Sequence, residues 1–113
     1  MPPPADLLPG TLDALILKAV SLQRHHGYGV MMRIQQITAG AFRIEEGALY
    51  PALHRLEHQG YLKGEWGVSD NNRRAKYYQL TATGRKRLAE AMQNWQRLAR
   101  AMDLAFTARP EEA

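Results

Sequence analysis

Apolar residues recur at helical spacing over three stretches in the first half of the chain, alternate briefly, and return to helical spacing towards the end. Leu12 to Leu22 is apolar on nearly every side, broken only by Asp13, Lys18 and Ser21. This predicts a helix buried on more than one side, capped by Thr11, with Asp13 in the first turn, where the helix dipole favours an anion. After a turn over His25-His26-Gly27-Tyr28-Gly29, a second helix runs from Val30 to Thr38, with Val30, Ile34 and Ile37 on one face and Gly40 as its stop. A third helical segment lies within Glu45–Gln59 and ends at Gly60. With Leu49, Leu53 and Leu56 on the core side, a step of ~100° per residue puts Gly47, Tyr50, Pro51, His54, Arg55 and His58 on the other. That outer face is aromatic, basic and rich in histidine. Pro51 places the first helical residue between Glu46 and Leu49, since a missing N–H is harmless only near a helix start.

Tyr61–Trp66 and Lys76–Leu80 read as two short strands, joined by a segment whose Asp70-Asn71-Asn72 run is strong turn chemistry. The product is a β-hairpin with Arg73, Arg74 and Lys76 at or near its tip, and with Trp66 and Tyr78 as packing residues. Thr81 caps a long last helix that reaches about Phe106. Along it, Leu88, Met92, Trp95, Ala99, Met102 and Phe106 are spaced 4, 3, 4, 3 and 4 apart, a heptad seam widened by Ala91, Leu98 and Ala105. A lone helix projecting from a small domain cannot bury such a stripe, so the seam predicts a homodimer. The fold class is mainly α with a small β-hairpin. It divides into a frayed, proline-rich arm over 1–9, a compact unit over 10–80, a dimerisation helix over 81–106 and a disordered tail over 107–113.

The chain has 113 residues, 45% of them hydrophobic and 23% charged, an ordinary globular composition that excludes a disordered or collagen-like chain. Without cysteine there is no disulfide framework, thiol nucleophile or cysteine zinc site, and the reducing cytoplasm is the expected compartment. No apolar run approaches a membrane span, and Met1-Pro2-Pro3-Pro4 lacks the features of a signal peptide. The net charge is +4, but between Arg73 and Arg100 there are eight basic residues and a single acid, Glu90. A basic zone on an otherwise slightly acidic chain is the electrostatic footprint of a polyanion partner.

Three short helices followed by a hairpin give the element order of a winged helix-turn-helix, in which the third helix enters the DNA major groove and the hairpin, or wing, lies along the backbone. The sequence also resembles the PadR family of bacterial transcriptional regulators. The matching motifs are His26-Gly27-Tyr28-Gly29, then Glu46 through Glu57 into Gly60-Tyr61-Leu62, Trp66, Arg73 through Tyr78, and Leu80 through Arg85. A single helix after the wing is similar to the short subfamily. The resemblance implies that Gly47, Tyr50, Pro51, His54, Arg55 and His58 form the recognition face, and that Arg73, Arg74 and Lys76 meet phosphate. Ala48 departs from the threonine or serine of many members, which removes a hydroxyl from the helix start. The resemblance further implies a dimeric repressor of detoxification, efflux or transporter genes, binding a pseudo-palindromic operator in double-stranded DNA without a cofactor. Some short members bind planar aromatic compounds between interface tryptophans. The match of Asn94-Trp95-Gln96-Arg97-Leu98 to that helix implies an effector slot at Trp95, Met92 and Ala99; a packed anchor without ligand is the alternative.

Three other readings compete. His54-Arg55-Leu56-Glu57-His58 fits the H-x-x-E-H spacing of inverted zinc peptidases, but no third ligand or catalytic cleft accompanies it, and the chain is expected not to be an enzyme. His25, His26, His54 and His58 suit a metal-responsive regulator only if a further cluster completes the site. A protein-interaction module built on the same fold would need neither a basic wing nor a polar, aromatic recognition face.

Overall fold

The computed structural model describes residues 10–112; the arm expected over 1–9 lies outside them. Helix α1 (Thr11–Leu22) buries Ile16, Leu17, Ala19 and Val20. Its N-cap is Gly10 rather than Thr11, with a left-handed φ of 83° and no side-chain bond to the helix end, a conformation that glycine adopts without a steric cost. His25–His26 form a short strand, β1, and α2 (Gly27–Ile37) follows at once. That helix starts three residues before the hydrophobic period begins, because His26 Nδ1 accepts a hydrogen bond from the Gly29 N–H at 3.1 Å and caps it. Val30 and Ile34 are in the core, while Ile37, at the helix end, is exposed.

Helix α3 (Glu46–His58) buries Leu49, Ala52, Leu53 and Leu56, the face that the leucine spacing demands. Pro51 lies inside it and forfeits one backbone bond to the Gly47 carbonyl, which sits on the exposed face where solvent can satisfy it. Strands β2 (Leu62–Val68) and β3 (Arg74–Leu80) are longer than the sequence pattern suggests and pair antiparallel, with Leu62 opposite Leu80, Gly64 opposite Tyr78 and Trp66 opposite Lys76. β1 adds to the other side of β3, so the hairpin becomes a three-stranded sheet in the order β1-β3-β2. The connecting turn closes with Ser69 N–H donating to the Arg73 carbonyl at 2.8 Å, and Asn72 takes a positive φ of 59°.

Helix α4 (Ala82–Phe106) begins at a Thr81 cap, whose Oγ1 accepts from the Gly84 N–H at 2.9 Å. Its first turn lies so near the end of α3 that a Cβ on Gly84 would stand 2.1 Å from the Tyr61 carbonyl oxygen. Leu88 is only 8% exposed and belongs to the core of its own domain. This corrects its assignment to the intermolecular seam: the helix is still seated on α1 and β3 at that point and leaves the domain only beyond it. After α4, Pro110–Glu112 form a short 3-10 turn within the tail expected to be disordered, proline's fixed φ suiting its first position.

Candidate nucleic-acid interface

The helical step sorts the outer residues of α3 into a ridge and two flanks. Gly47, Pro51, His54 and His58 recur at i, i+4, i+7 and i+11 and form a ridge turned away from the leucines; all four are exposed. Tyr50 lies on one flank and Arg55 on the other. Tyr50 leans on α2, near enough that a Cβ on Gly27 would meet its ring at 2.7 Å. The Arg55 guanidinium is paired with Asp13 in the first turn of α1. Of the six residues assigned to the recognition face, four therefore point outward together. Tyr50 is half committed to packing, and Arg55 braces α3 against α1.

The hairpin changes character along its length. On the face that buries Leu62, Tyr78 and Leu80 near the domain, the residues towards the tip are Trp66, Val68, Arg74 and Lys76. Trp66, expected as a packing residue, is 59% exposed, and the Arg74 guanidinium stacks over its ring at 4.3 Å. Tyr78 is buried as expected. Between this face and the N-terminal ends of α2 and α3 runs an open cleft of about 670 Å³, lined by Tyr28, Tyr50, Trp66, Asn71, Arg73, Arg74 and others. Arg73 is exposed in the turn. Lys76 is not free: its Nζ donates to Glu57 Oε1 at 2.7 Å. That bond, with the charge of Glu57, raises the lysine pKa above its ordinary value against the opposing effect of burial. Burial also raises the Tyr78 phenol. It lowers His25, helped by neighbouring His26 and Arg33 and opposed by Asp70.

The family model described as "Transcriptional regulator PadR-like family" matches residues 16–90, which contain the ridge, both flanks, the cleft and the wing. The chain belongs to the PadR-like family. Among solved structures it is similar to a transcriptional regulator from Clostridium thermocellum, with a TM-score of 0.78 and 29% identity over 92% of this chain and 100% of that one. It is also similar to a PadR family regulator from Clostridium difficile R20291, with a TM-score of 0.72 and 27% identity over 84% of this chain and 97% of the other. A protein of Lysinibacillus sphaericus is 33% identical over 101 residues, covering 88% of this chain and 92% of its own length.

As a PadR-like protein the chain is a transcriptional regulator with a winged-helix fold, and its family is one of regulators rather than enzymes. In the H-x-x-E-H segment, the glutamate that a peptidase would use is taken by Lys76. Among the described residues no group of three or more metal-ligating side chains gathers, and no helix is long and apolar enough to cross a membrane. On α4, Met92, Trp95, Met102 and Phe106 are exposed, as is the adjoining Leu98, while Ala99 is half-buried. Three contributors to the site escaped the sequence reading: Tyr28, Trp66 and Glu57. Tyr28 stood in what read as a turn, Trp66 in what read as a packed strand. Nothing in local spacing pairs Glu57 with a lysine nineteen residues later.

Proposed function

We propose that this PadR-like regulator is a DNA-binding repressor that grips a pseudo-palindromic operator as a homodimer. One observation carries the reading: Tyr50, on the flank of the exposed α3 ridge, and the cationic, aromatic face of the wing border one cleft, with no acidic side chain but Asp70 along it. Gly47, Pro51, His54 and His58 would face base edges in the major groove, with Tyr50 at their side, while Arg73 and Arg74 would meet phosphate. Dimerisation is supported by Met92, Trp95, Ala99, Met102 and Phe106, which carry the heptad stripe along a helix that has left its own domain. The site of action is the bacterial cytoplasm, at the nucleoid when DNA is bound, and the regulated genes are of the detoxification, efflux or transporter kind. A planar aromatic effector held between paired Trp95 side chains, near Met92 and Ala99, would relieve repression by changing the angle between the winged domains.

Binding to duplex DNA across a salt series tests the central claim. Affinity should fall steeply and linearly in log–log form, with a slope of roughly 0.9 for each phosphate neutralised. Salt-independent or absent binding would overturn it. For the effector, titration with planar aromatic compounds should quench tryptophan fluorescence in the native chain but not in Trp95→Phe, and should weaken operator binding in parallel.

A further inference from the structure

The wing is three-stranded at its base, where β1 pairs with Tyr77 and Tyr78, and two-stranded towards its tip; on the β1 side Arg24 reaches it, 3.9 Å from Glu65 and 4.6 Å from the centre of the Tyr77 ring. At the base, Leu62, Tyr78 and Leu80 are buried; towards the tip, Trp66, Val68 and Arg74 are exposed. Between these zones an ion pair ties the wing to α3, Lys76 with Glu57, whose side chains are only 29% and 26% exposed. Lys76 crosses directly over Gly64 on the neighbouring strand: a Cβ there would lie 2.4 Å from Lys76 Cε and 2.8 Å from Glu57 Oε2. The Lys76 ammonium is also 5.9 Å from the centre of the Tyr78 ring. Three elements thus meet at one ion pair, and the open face of Gly64 is what lets them meet.

We infer that Glu57, Lys76 and Gly64 form a latch that fixes the angle between the wing and the recognition helix, so that Lys76 serves DNA binding by positioning the wing rather than by touching phosphate. The inference rests on the DNA-binding reading of α3 and the wing. Its reasoning is geometric: a duplex must engage the ridge and Arg73–Arg74 simultaneously, and a hairpin free to swing would have to be ordered again at each binding event. It also reverses a simple electrostatic expectation. Removing the Glu57 carboxylate takes a negative charge from beside the DNA and by charge alone should tighten binding, whereas losing the latch should weaken it.

Two measurements decide. Without DNA, Glu57→Gln should speed amide hydrogen exchange over Trp66–Val68 and Arg74–Lys76 while leaving α1 protection unchanged; equal hairpin protection in variant and native chain overturns the latch whatever DNA does. With random-sequence duplex as the probe, Glu57→Gln should lose roughly three- to tenfold in affinity, the effect of one lost preorganising contact, at an unchanged salt slope. The swap Glu57→Lys with Lys76→Glu should recover most of that loss. If instead Glu57→Gln binds more tightly, Lys76→Met lowers the slope by the ~0.9 of a phosphate contact and the swap fails, Lys76 is a direct contact and the latch is wrong. A native chain that binds no duplex refutes the DNA reading, and the exchange measurement then judges the latch alone. Should Lys76→Met fail to fold, Gly64→Ala, which wedges the pair apart, is expected to reproduce the Glu57→Gln pattern.

Discussion

His25 and Arg55 illustrate how a side chain's neighbours decide its work. Burial holds the His25 pKa below its ordinary 6.5, so the folded chain takes up this proton less readily than the unfolded one. Its share of stability is therefore complete above the unfolded value and is lost as pH falls below it, through the lower folded value. Denaturant titrations at neutral and mildly acid pH should show that loss, and His25→Gln should flatten it; an unaltered pH dependence in the variant would assign the effect elsewhere. Arg55, by contrast, is a half-exposed ion-pair partner of Asp13. Arg55→Ala should cost only about 0.2 to 1 kcal/mol of stability, as exposed pairs do. Were it also to cut operator discrimination by about 1 to 3 kcal/mol, the residue would be leaving Asp13 to read a base.

At the scale of elements, the wing and α4 each change role along their length. Arg73→Ala should weaken specific and random DNA nearly alike and lower the salt slope by about one. Arg74→Ala should do the same and in addition alter Trp66 emission, read in a Trp95→Phe background, because the guanidinium stacks on that indole. On α4, Leu88→Ala should cost the folded domain about 2 to 5 kcal/mol, as for other buried leucines, whether or not a second chain is present. Met102, almost four helical turns on, belongs to a different regime, where substitution should change association and leave the domain folded.

For the whole molecule, the prediction concerns symmetry. If the α4 stripes of two copies bury each other, two α3 ridges lie on one side of the pair, and reading successive major grooves requires a spacing of ~34 to 36 Å. Light scattering should report a dimer at micromolar concentration, and Trp95→Glu with Met102→Glu should give a folded monomer that no longer binds the operator, because both charges would be desolvated in the seam. A double variant that stays dimeric would mean that other surfaces hold the two chains together.

Periodicity identified the four long helices, the core leucines of α3 and, beyond Leu88, the stripe of α4, since each depends on spacing within a single element, while the Thr81 cap was legible from its residue type. The PadR resemblance was equally legible, because its motifs are contiguous runs. What only the tertiary structure decided are relations between elements distant in sequence. Strand β1 exists because β3 offers it a free edge. Leu88 is core rather than seam because α4 is still seated on the domain there, Trp66 is exposed because β2 has passed the end of the core by then, and Arg55 and Lys76 are committed to Asp13 and Glu57. A helical period states which residues share a face. It is silent on which oppositely charged side chain the fold brings across to meet them.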